Sequence, residues 1–246
     1  MRKNFALTLE YDGTAYHGWQ LQKNAPTVQG VLLDAIDKIC NSRPIIYASG
    51  RTDAGVHALA QVANFTVETS FGPEDLRSAL NSQLPEDVVV KEVKEMESNF
   101  HAQYSTRGKI YRYVILNREY PSAIHGKYSW HIISPLDVRA MCEGGKYLIG
   151  THDFRAFRGR ESNSTRNSVR TVKEVQISQK KGSIEIQMSA DGFLRYMVRT
   201  IVGSLVQVGK KKKPPQWIEE VLESKDRAQA GPTAPTCGLF LVEVFY

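Results

Sequence analysis

The stretch ASGRTDAGVHALAQVANF, residues 48–65, joins a polar loop to a long apolar run. Gly50 and Gly55 bracket Arg51 and Asp53, so the backbone can turn sharply there and present the side chains between the two glycines. The segment IIYAS before the loop is typical of a short strand, and AQVANFTV after it is typical of a longer one. We therefore predict a strand–loop–strand unit that carries an acidic side chain in its loop.

The rest of the N-terminal half completes a βαββαβ order around this unit. The run FALTLEY places Phe5, Leu7 and Leu9 on one side, which is the period of a half-buried strand. Apolar residues repeat at three and four between residues 28 and 39, which predicts a helix, and Thr27 stands at its N-cap position. A second helix is expected from Pro73, and DVVVKEV is expected to form the closing strand.

The C-terminal half repeats this plan with one inserted helix. Strands are expected in RGKIYRYVIL, VRTVKEVQIS, SIEIQMS and GLFLVEVFY. One helix is expected in SPLDVRAMCEGGKYLIG, opened by Ser134 and Pro135 and ending at Gly150, followed later by a long helix over residues 193–208 and a short one in PQWIEEVLES.

The two halves together predict an α+β fold. We expect two ferredoxin-like split βαβ units that form an extended, mostly antiparallel sheet, with helices on one face and the other face left for a ligand. The predicted domains are residues 1–100, which carry the acidic loop, and residues 101–246, with the boundary near residues 97–104.

The positive charge is concentrated in the second half of the chain. The formal net charge is +6, yet residues 1–100 contain 9 Lys and Arg against 13 Asp and Glu, whereas residues 101–246 contain 23 against 13. An arginine-rich run from Arg155 to Arg170, which includes Arg158, and the four lysines from Lys210 to Lys213 contribute most clearly. Clustered cations favour a polyanionic partner such as nucleic acid, with a merely solvated basic surface as the alternative.

The composition also bears on location and on redox chemistry. No stretch approaches the roughly 18 apolar residues of a membrane span, and the N-terminus MRKNFALTLEYDG reads as a strand rather than a cleavable signal. Cys40, Cys142 and Cys237 are odd in number and never spaced as CxxC, so neither a disulfide framework nor a thiolate zinc site is indicated. We therefore expect a soluble, cytoplasmic protein that does not contact membranes.

Asp53 could act as a metal ligand, a general base or a covalent nucleophile. A hard metal ion requires several carboxylates close together, which this segment lacks, and the six histidines show no paired ligand spacing, so no metal site is predicted. The neighbouring Arg51 would hold the carboxylate ionised, which suits a nucleophile better than a base. A purely structural turn, in which Asp53 bonds the loop backbone, is the alternative.

The string GRTDAGVHALAQVANF closely resembles the signature of the tRNA pseudouridine synthases that modify the anticodon arm. Five further segments resemble that family in the same order: LEYDGTAYHGWQLQ, FHAQYSTRGKIYRYVI, GTHDFRAF, GFLRYMVRTIVGSL and APTCGLFLVEV. The sequence departs from the family at Gln103, where the family usually has an arginine. The resemblance covers the whole chain.

This resemblance implies a role for each matched residue. Asp53 would be the nucleophile that attacks the target uridine, at ribose C1′ or at uracil C6. Arg51 would orient Asp53 and help to displace the flipped base, and Arg199 would pair with the same carboxylate. Tyr111 would stack on the uracil, and Leu239 would pack against the base.

The same resemblance implies the activity and the partners. The protein would be an isomerase that converts uridine to pseudouridine at positions 38, 39 and 40 of the tRNA anticodon stem-loop after base flipping, and the open face of its sheet would be an RNA-binding cleft. The basic run, by its charge, offers Arg155 and Arg158 as binding residues for the phosphates. The reaction involves no redox change and no net hydrolysis, so no cofactor is expected. The family works as a homodimer, which the resemblance extends to this chain.

Two other functions fit parts of the pattern. A noncatalytic RNA-binding protein could use strand aromatics such as those in RGKIYRYV to stack bases without chemistry. A hydrolase could use Asp53 as a base on a nucleoside or phosphoester. A binding protein does not require an Arg-Thr-Asp sequence between glycines, and a hydrolase normally requires a metal or a second carboxylate.

Overall fold

A computed structural model of the chain describes residues 2–159 and 167–246. The chain separates into two compact units, Met1–Arg107 with Phe240–Tyr246, and Gly108–Leu239. The described residues form ten strands: β1 Arg2–Tyr11, β2 Tyr47–Ala48, β3 His57–Glu68, β4 Val88–Met96, β5 Gly108–Asn117, β6 Trp130–Ile132, β7 Gly150–Asp153, β8 Val169–Lys180, β9 Ser183–Ala190 and β10 Leu239–Phe245. They also form five α-helices: α1 Val28–Cys40, α2 Pro73–Gln83, α3 Val138–Lys146, α4 Met197–Gly209 and α5 Trp217–Ser224.

The first unit has the βαββαβ order that the sequence predicts. Its strands lie in the order β4, β1, β3, β2 with antiparallel pairing, as a ferredoxin-like unit requires. Phe5, Leu7 and Leu9 of β1 are completely buried, while the residues between them are less covered. Helix α2 packs against β4 and contacts α1, whose N-cap Thr27 accepts a hydrogen bond from the Gly30 amide at 3.2 Å.

The last strand of the chain, from Phe240 onward, belongs to the first unit. β10 pairs in parallel with β3, where Phe240 lies opposite His57 and Leu241 opposite Ala58. The sequence placed this strand with the second half, because it follows the helices of that half along the chain. The predicted division into an N-terminal domain, residues 1–100, and a C-terminal domain, residues 101–246, stays a prediction.

The second unit contains an antiparallel sheet in the order β5, β9, β8, β7, and β6 pairs in parallel with β5. Helix α3 packs against β8 and α4, and α4 is buried along nearly its whole length. The strands β6 and β7 were missed in the sequence because they span three and four residues and are too short for a periodic pattern. The mostly antiparallel pairing and the mixed helix and strand content confirm the α+β prediction.

Two predicted helix starts are wrong. Helix α3 is capped by Asp137, whose carboxylate accepts a hydrogen bond from the Ala140 amide at 3.0 Å, and not by Ser134 and Pro135. It also ends before Gly150, which has a φ of 115° and begins a strand. Helix α4 begins at Met197 rather than at residue 193, since Tyr196 adopts a left-handed φ of 64° and a helix cannot run through that conformation.

Candidate active site

The loop between β2 and β3 presents the predicted acid. Val56 donates a backbone hydrogen bond to the carbonyl of Asp53 at 3.1 Å, and Gly55 between them has a φ of 75°, in the left-handed region that favours glycine. Asp53 is half-buried, Thr52 is buried and Arg51 is exposed. The loop thus turns tightly just after the carboxylate, as its glycine content predicts.

A second segment, residues 12–19, holds this loop in place, and we call it the clamp segment. The Trp19 amide donates to the Thr52 carbonyl at 3.1 Å, and the Gly55 amide donates to the Tyr16 carbonyl at 3.2 Å. The hydroxyls of Tyr11 and Thr52 share a buried hydrogen bond of 2.8 Å. Burial raises the pKa of Tyr11 to about 12, so its hydroxyl keeps its proton at neutral pH.

Two glycines of the clamp segment allow its backbone to approach the backbone of the Asp53 loop closely. A Cβ on Gly13 would overlap the carbonyl oxygen of Val56, and one on Gly18 would lie 2.6 Å from the carbonyl oxygen of Thr52. Gly18 also has a φ of 91°. Only glycine fits these positions without moving the Asp53 loop, which explains the pattern DGTAYHGW in physical terms.

His57 fixes the far end of the loop. Its side chain is 2% exposed, its Nδ1 lies 3.1 Å from the Gly13 amide and 3.0 Å from an Asp12 carboxylate oxygen, and its ring stacks on Phe240 at 4.8 Å. This geometry fits a loop-fixing hydrogen-bonding role. Trp19 is 1% exposed and therefore belongs to the core.

Arg51 shares the loop with Asp53 but faces solvent. The intervening Thr52 turns inward, where its hydroxyl shares a hydrogen bond with that of Tyr11, and the predicted pairing of Arg51 with the Asp53 carboxylate stays a prediction. The predicted role of Arg51 in displacing the flipped base stays a prediction.

Arg199 is anchored within the second unit by the segment that precedes β10. Its Nε donates to the Ala234 carbonyl at 2.7 Å, and its own carbonyl accepts from the Ala234 amide at 3.0 Å. Gly203, one turn later in α4, permits this approach, since a Cβ there would overlap the Pro232 carbonyl oxygen. The guanidinium of Arg199 is therefore positioned by a hydrogen bond to the backbone of Ala234.

Tyr196, the residue before α4, joins two arginines. The guanidinium of Arg195 lies 4.6 Å from its ring centroid and that of Arg199 lies 5.1 Å from it, which is cation–π geometry. A Cβ on Gly159 would lie 2.9 Å from a carbon of the same ring. The left-handed backbone of Tyr196 costs of order 1–3 kcal/mol and is kept by these surroundings.

Tyr111 and Leu239 are both buried, at 9% and 6% exposure. The ring of Tyr111 meets the ring of Phe193 edge-on, with a centroid distance of 5.1 Å. Tyr111 projects from β5 on the same face as Lys109, two residues earlier, and burial with the nearby Arg170 lowers the pKa of Lys109 to about 8. Sequence reasoning missed Lys109 because a lysine at the start of a strand carries no signal of burial.

The basic residues divide between described and undescribed parts of the chain. Arg155 is exposed and forms an ion pair with Asp153 at 3.3 Å, and Arg158 is half-buried. Arg160 and Arg166 of the same run lie outside the described residues. Lys211 to Lys213 are exposed at the end of α4, as a phosphate-binding surface requires.

The predicted site residues therefore fall into two groups. Arg51 and Asp53 share one loop of the first unit, whereas the second unit contains Arg199, Tyr111, Leu239, Arg155 and Arg158. In the described ranges no group of three or more His, Cys, Asp or Glu side chains could hold a metal ion. Nor does any helix in these ranges have the length and apolar character needed to cross a membrane.

Comparison with known proteins decides the family. The model of the family described as tRNA pseudouridine synthase matches residues 8–105 and 145–246. The chain belongs to the tRNA pseudouridine synthase family. Both matched ranges contain predicted site residues, with Asp53 in the first and Arg199 and Leu239 in the second, whereas Tyr111 lies outside them.

Three relatives are similar to this chain over nearly its whole length. The tRNA pseudouridine synthase A of Thermoanaerobacter sp. (strain X514) is 47% identical, with 99% of this chain and 100% of the relative covered. The tRNA pseudouridine synthase A 2 of Clostridium perfringens (strain 13 / Type A) is 46% identical with the same coverage. The tRNA pseudouridine synthase A of Coxiella burnetii (strain Dugway 5J108-111) is 42% identical, over 98% and 92%.

Family membership decides among the functions that the sequence left open. The protein is an enzyme that isomerises uridine to pseudouridine in tRNA. The predicted activity is confirmed, and the noncatalytic RNA-binding protein and the hydrolase are set aside.

Proposed function

We propose that Asp53 is the nucleophile of this isomerase and that its substrates are uridines 38, 39 and 40 of the tRNA anticodon stem-loop. The observation that carries the proposal is the Asp53 loop, whose backbone is fixed at Thr52 and Gly55 by the clamp segment. A nucleophile must approach its target within a small angular range, so a loop fixed at two points suits covalent attack.

The chemistry balances without a cofactor. The carboxylate attacks ribose C1′ or uracil C6, the C1′–N1 bond breaks, the uracil rotates, and a bond forms between C5 and C1′. The bond between the carboxylate oxygen and C1′ or C6 then breaks, which regenerates Asp53. The C5 proton leaves to water and N1 gains a proton, so the product is an isomer of the substrate. A base must leave its stack before any of these steps, and the protein must hold it once extruded.

The second unit supplies residues for that holding. The buried ring of Tyr111 offers a face for stacking on the uracil, and Leu239 offers an apolar contact. Arg199, anchored at Ala234, supplies a fixed positive charge for the carboxylate, while Arg155 and Arg158 bind phosphates. Arg51, exposed in the acid loop, displaces the base from the helix.

Tritium release tests the nucleophile. The protein is incubated with a tRNA transcript labelled with tritium at uracil C5, and release to water is compared between wild type and Asp53→Ala. Wild type should release label from the three uridines, whereas the variant should bind the transcript and release none. Release by Asp53→Ala at the wild-type rate would show that another group attacks. Transcripts that lack uridine at positions 38–40 should give no release.

We further infer that the enzyme acts as a homodimer in the cytoplasm, where one subunit grips the tRNA body through its basic residues and the other presents Asp53. Light scattering at working concentration should give the mass of two chains. A mass of one chain, with full activity, would refute the dimer, and cell fractionation that places the protein with membranes would refute the location.

A further inference from the structure

Three aromatic rings stack on the surface of the first unit, and we call Tyr47, His101 and Tyr104 the aromatic stack. The ring of His101 contacts both tyrosine rings, with a centroid distance of 4.3 Å to each and tilted interplanar angles of 39° and 32°. Tyr104 is 80% exposed and Tyr47 is 41% exposed. A tyrosine that closes a stack yet leaves most of its surface in water offers a ring face on which another ring can bind.

Buried amides hold the stack rigid. The Asn64 side chain accepts the Ala102 amide at 2.8 Å and donates to the Asn4 side chain at 2.9 Å, and both asparagines are buried. The Ala102 carbonyl accepts the hydroxyl of Tyr246 at 2.9 Å. Ala102 directly follows His101, so its fixation sets the position of the central ring.

The loop after His101 is fixed as well. The His101 Nδ1 accepts the amides of Gln103 and Tyr104 at 3.2 and 3.3 Å, and the His101 carbonyl accepts the Ser105 amide at 2.9 Å. Gln103, where the family usually has an arginine, thus contributes its backbone to the turn that positions Tyr104. A rigid ring loses little conformational entropy when a ligand binds to it.

The stack is close to the acid loop along the chain. Tyr47 belongs to β2 and pairs with Asn64 of β3, and Asp53 follows it six positions later in the chain. A chain of six residues spans at most about 20 Å. Tyr47 therefore lies within about 20 Å of Asp53, a distance that a few nucleotides of RNA can span.

The exposed ring faces suit a nucleotide base. Every base has a flat aromatic face that can stack on a tyrosine ring without any particular hydrogen-bond partner. The two segments that carry the three rings, residues 38–52 and 98–107, contain four Lys and Arg, of which Arg43 is ion-paired with Asp34 and Asp37. The open ring of Tyr104, rather than local charge, therefore points to a base.

We propose that the aromatic stack is a binding platform for an unpaired base of the tRNA substrate, next to the uridine that is held at the acid loop. The proposal rests on the proposed function for the identity of the RNA. The base stacks on the open face of Tyr104, and the stacked His101 and Tyr47 keep that ring in place.

Binding measurements with two variants test the platform. Stacking of one base is worth about 1–3 kcal/mol, so Tyr104→Ala should raise the Kd for a tRNA transcript at least about five-fold. Tyr104→Phe keeps the ring and should bind like wild type. Tyr120→Ala, which removes an exposed tyrosine from the second unit, is the matched control and should also bind like wild type. Since no charge is removed, the dependence of log Kd on log salt should keep its slope.

The outcomes separate this proposal from the proposed function. If wild type releases tritium while Tyr104→Ala binds as tightly as wild type, the platform is refuted and the isomerase site stands. If wild type releases none but Tyr104→Ala alone weakens binding, the platform stands and the assignment of Asp53 fails. If Tyr104→Ala changes the mass in light scattering, the rings form a protein contact and the platform is refuted.

Photocrosslinking supplies a second measurement. A transcript with 4-thiouridine in its anticodon loop is irradiated with the full-length protein, and crosslinked peptides are identified by mass spectrometry. Crosslinks to the peptide that contains Tyr104 are expected. Crosslinks confined to other peptides would overturn the proposal.

Discussion

Replacing Lys109 with methionine should make the protein more stable at neutral pH. Lys109 lies in β5, and burial, with a smaller contribution from the nearby Arg170, lowers its pKa from 10.5 to about 8. The folded protein therefore holds a charge that would be better solvated in the unfolded chain. Methionine has a similar length and no charge, so it can fill the same space without this cost.

The magnitude follows from the two pKa values. Below pH 8 the lysine is protonated in both the folded and unfolded states, and the difference between 10.5 and about 8 corresponds to about 3 kcal/mol of lost stability. Between pH 8 and 10.5 the folded state releases its proton first, so the unfolded state binds more protons and the stability of wild type rises with pH. The variant lacks this rise.

Urea unfolding measures both effects. At pH 7 the free energy of unfolding of Lys109→Met should exceed that of wild type by up to about 3 kcal/mol, and the difference should shrink as the pH approaches 10. Lys23→Met, at an exposed position, is the control and should match wild type at each pH. A variant that is less stable than wild type at pH 7, or a difference that grows with pH, would refute the reasoning.

The same substitution should cost function. Lys109 is half-buried and shares a strand face with Tyr111, so its exposed part can contact a phosphate beside the proposed stacking ring. We expect the KM for tRNA to rise in Lys109→Met while the fold is retained. Such a gain in stability with a loss of binding is the usual sign of a charge kept for function; an unchanged KM would limit Lys109 to a structural role.

Three further substitutions test the scaffolds. Gly18→Ala forces a left-handed alanine against the Thr52 carbonyl and should lower both the urea midpoint and kcat; wild-type values for both would show that the clamp segment does not position Asp53. Tyr11→Phe removes the buried hydrogen bond to Thr52 and should cost about 1–2 kcal/mol of unfolding free energy, and equal midpoints would contradict that bond. Asn64→Ala removes the acceptor of the Ala102 amide, so hydrogen exchange at that amide should accelerate and tRNA binding should weaken; unchanged protection would argue against a rigid aromatic stack.

Local patterns were sufficient for most of the secondary structure. The alternation in β1 and the cap at Thr27 predicted their elements correctly, because the strand buries one face and the helix end needs a side-chain acceptor. The start of α4 could not be found in this way. Its apolar pattern extends back to residue 193. Tyr196, however, adopts a left-handed conformation, and its ring lies against Gly159, which is far away in the sequence.

The sequence by itself determined the family of this protein, through a signature around an aspartate between glycines, and it showed the basic second half; both are properties of neighbouring residues. Tertiary structure alone decided what holds that aspartate, which ring lies open to solvent and which lysine is partly buried. The hydrogen bond to Thr52, the ring of Tyr104 and the partial burial of Lys109 each depend on residues far apart in the chain. Burial and backbone contact are set by packing over such distances, so no local pattern encodes them.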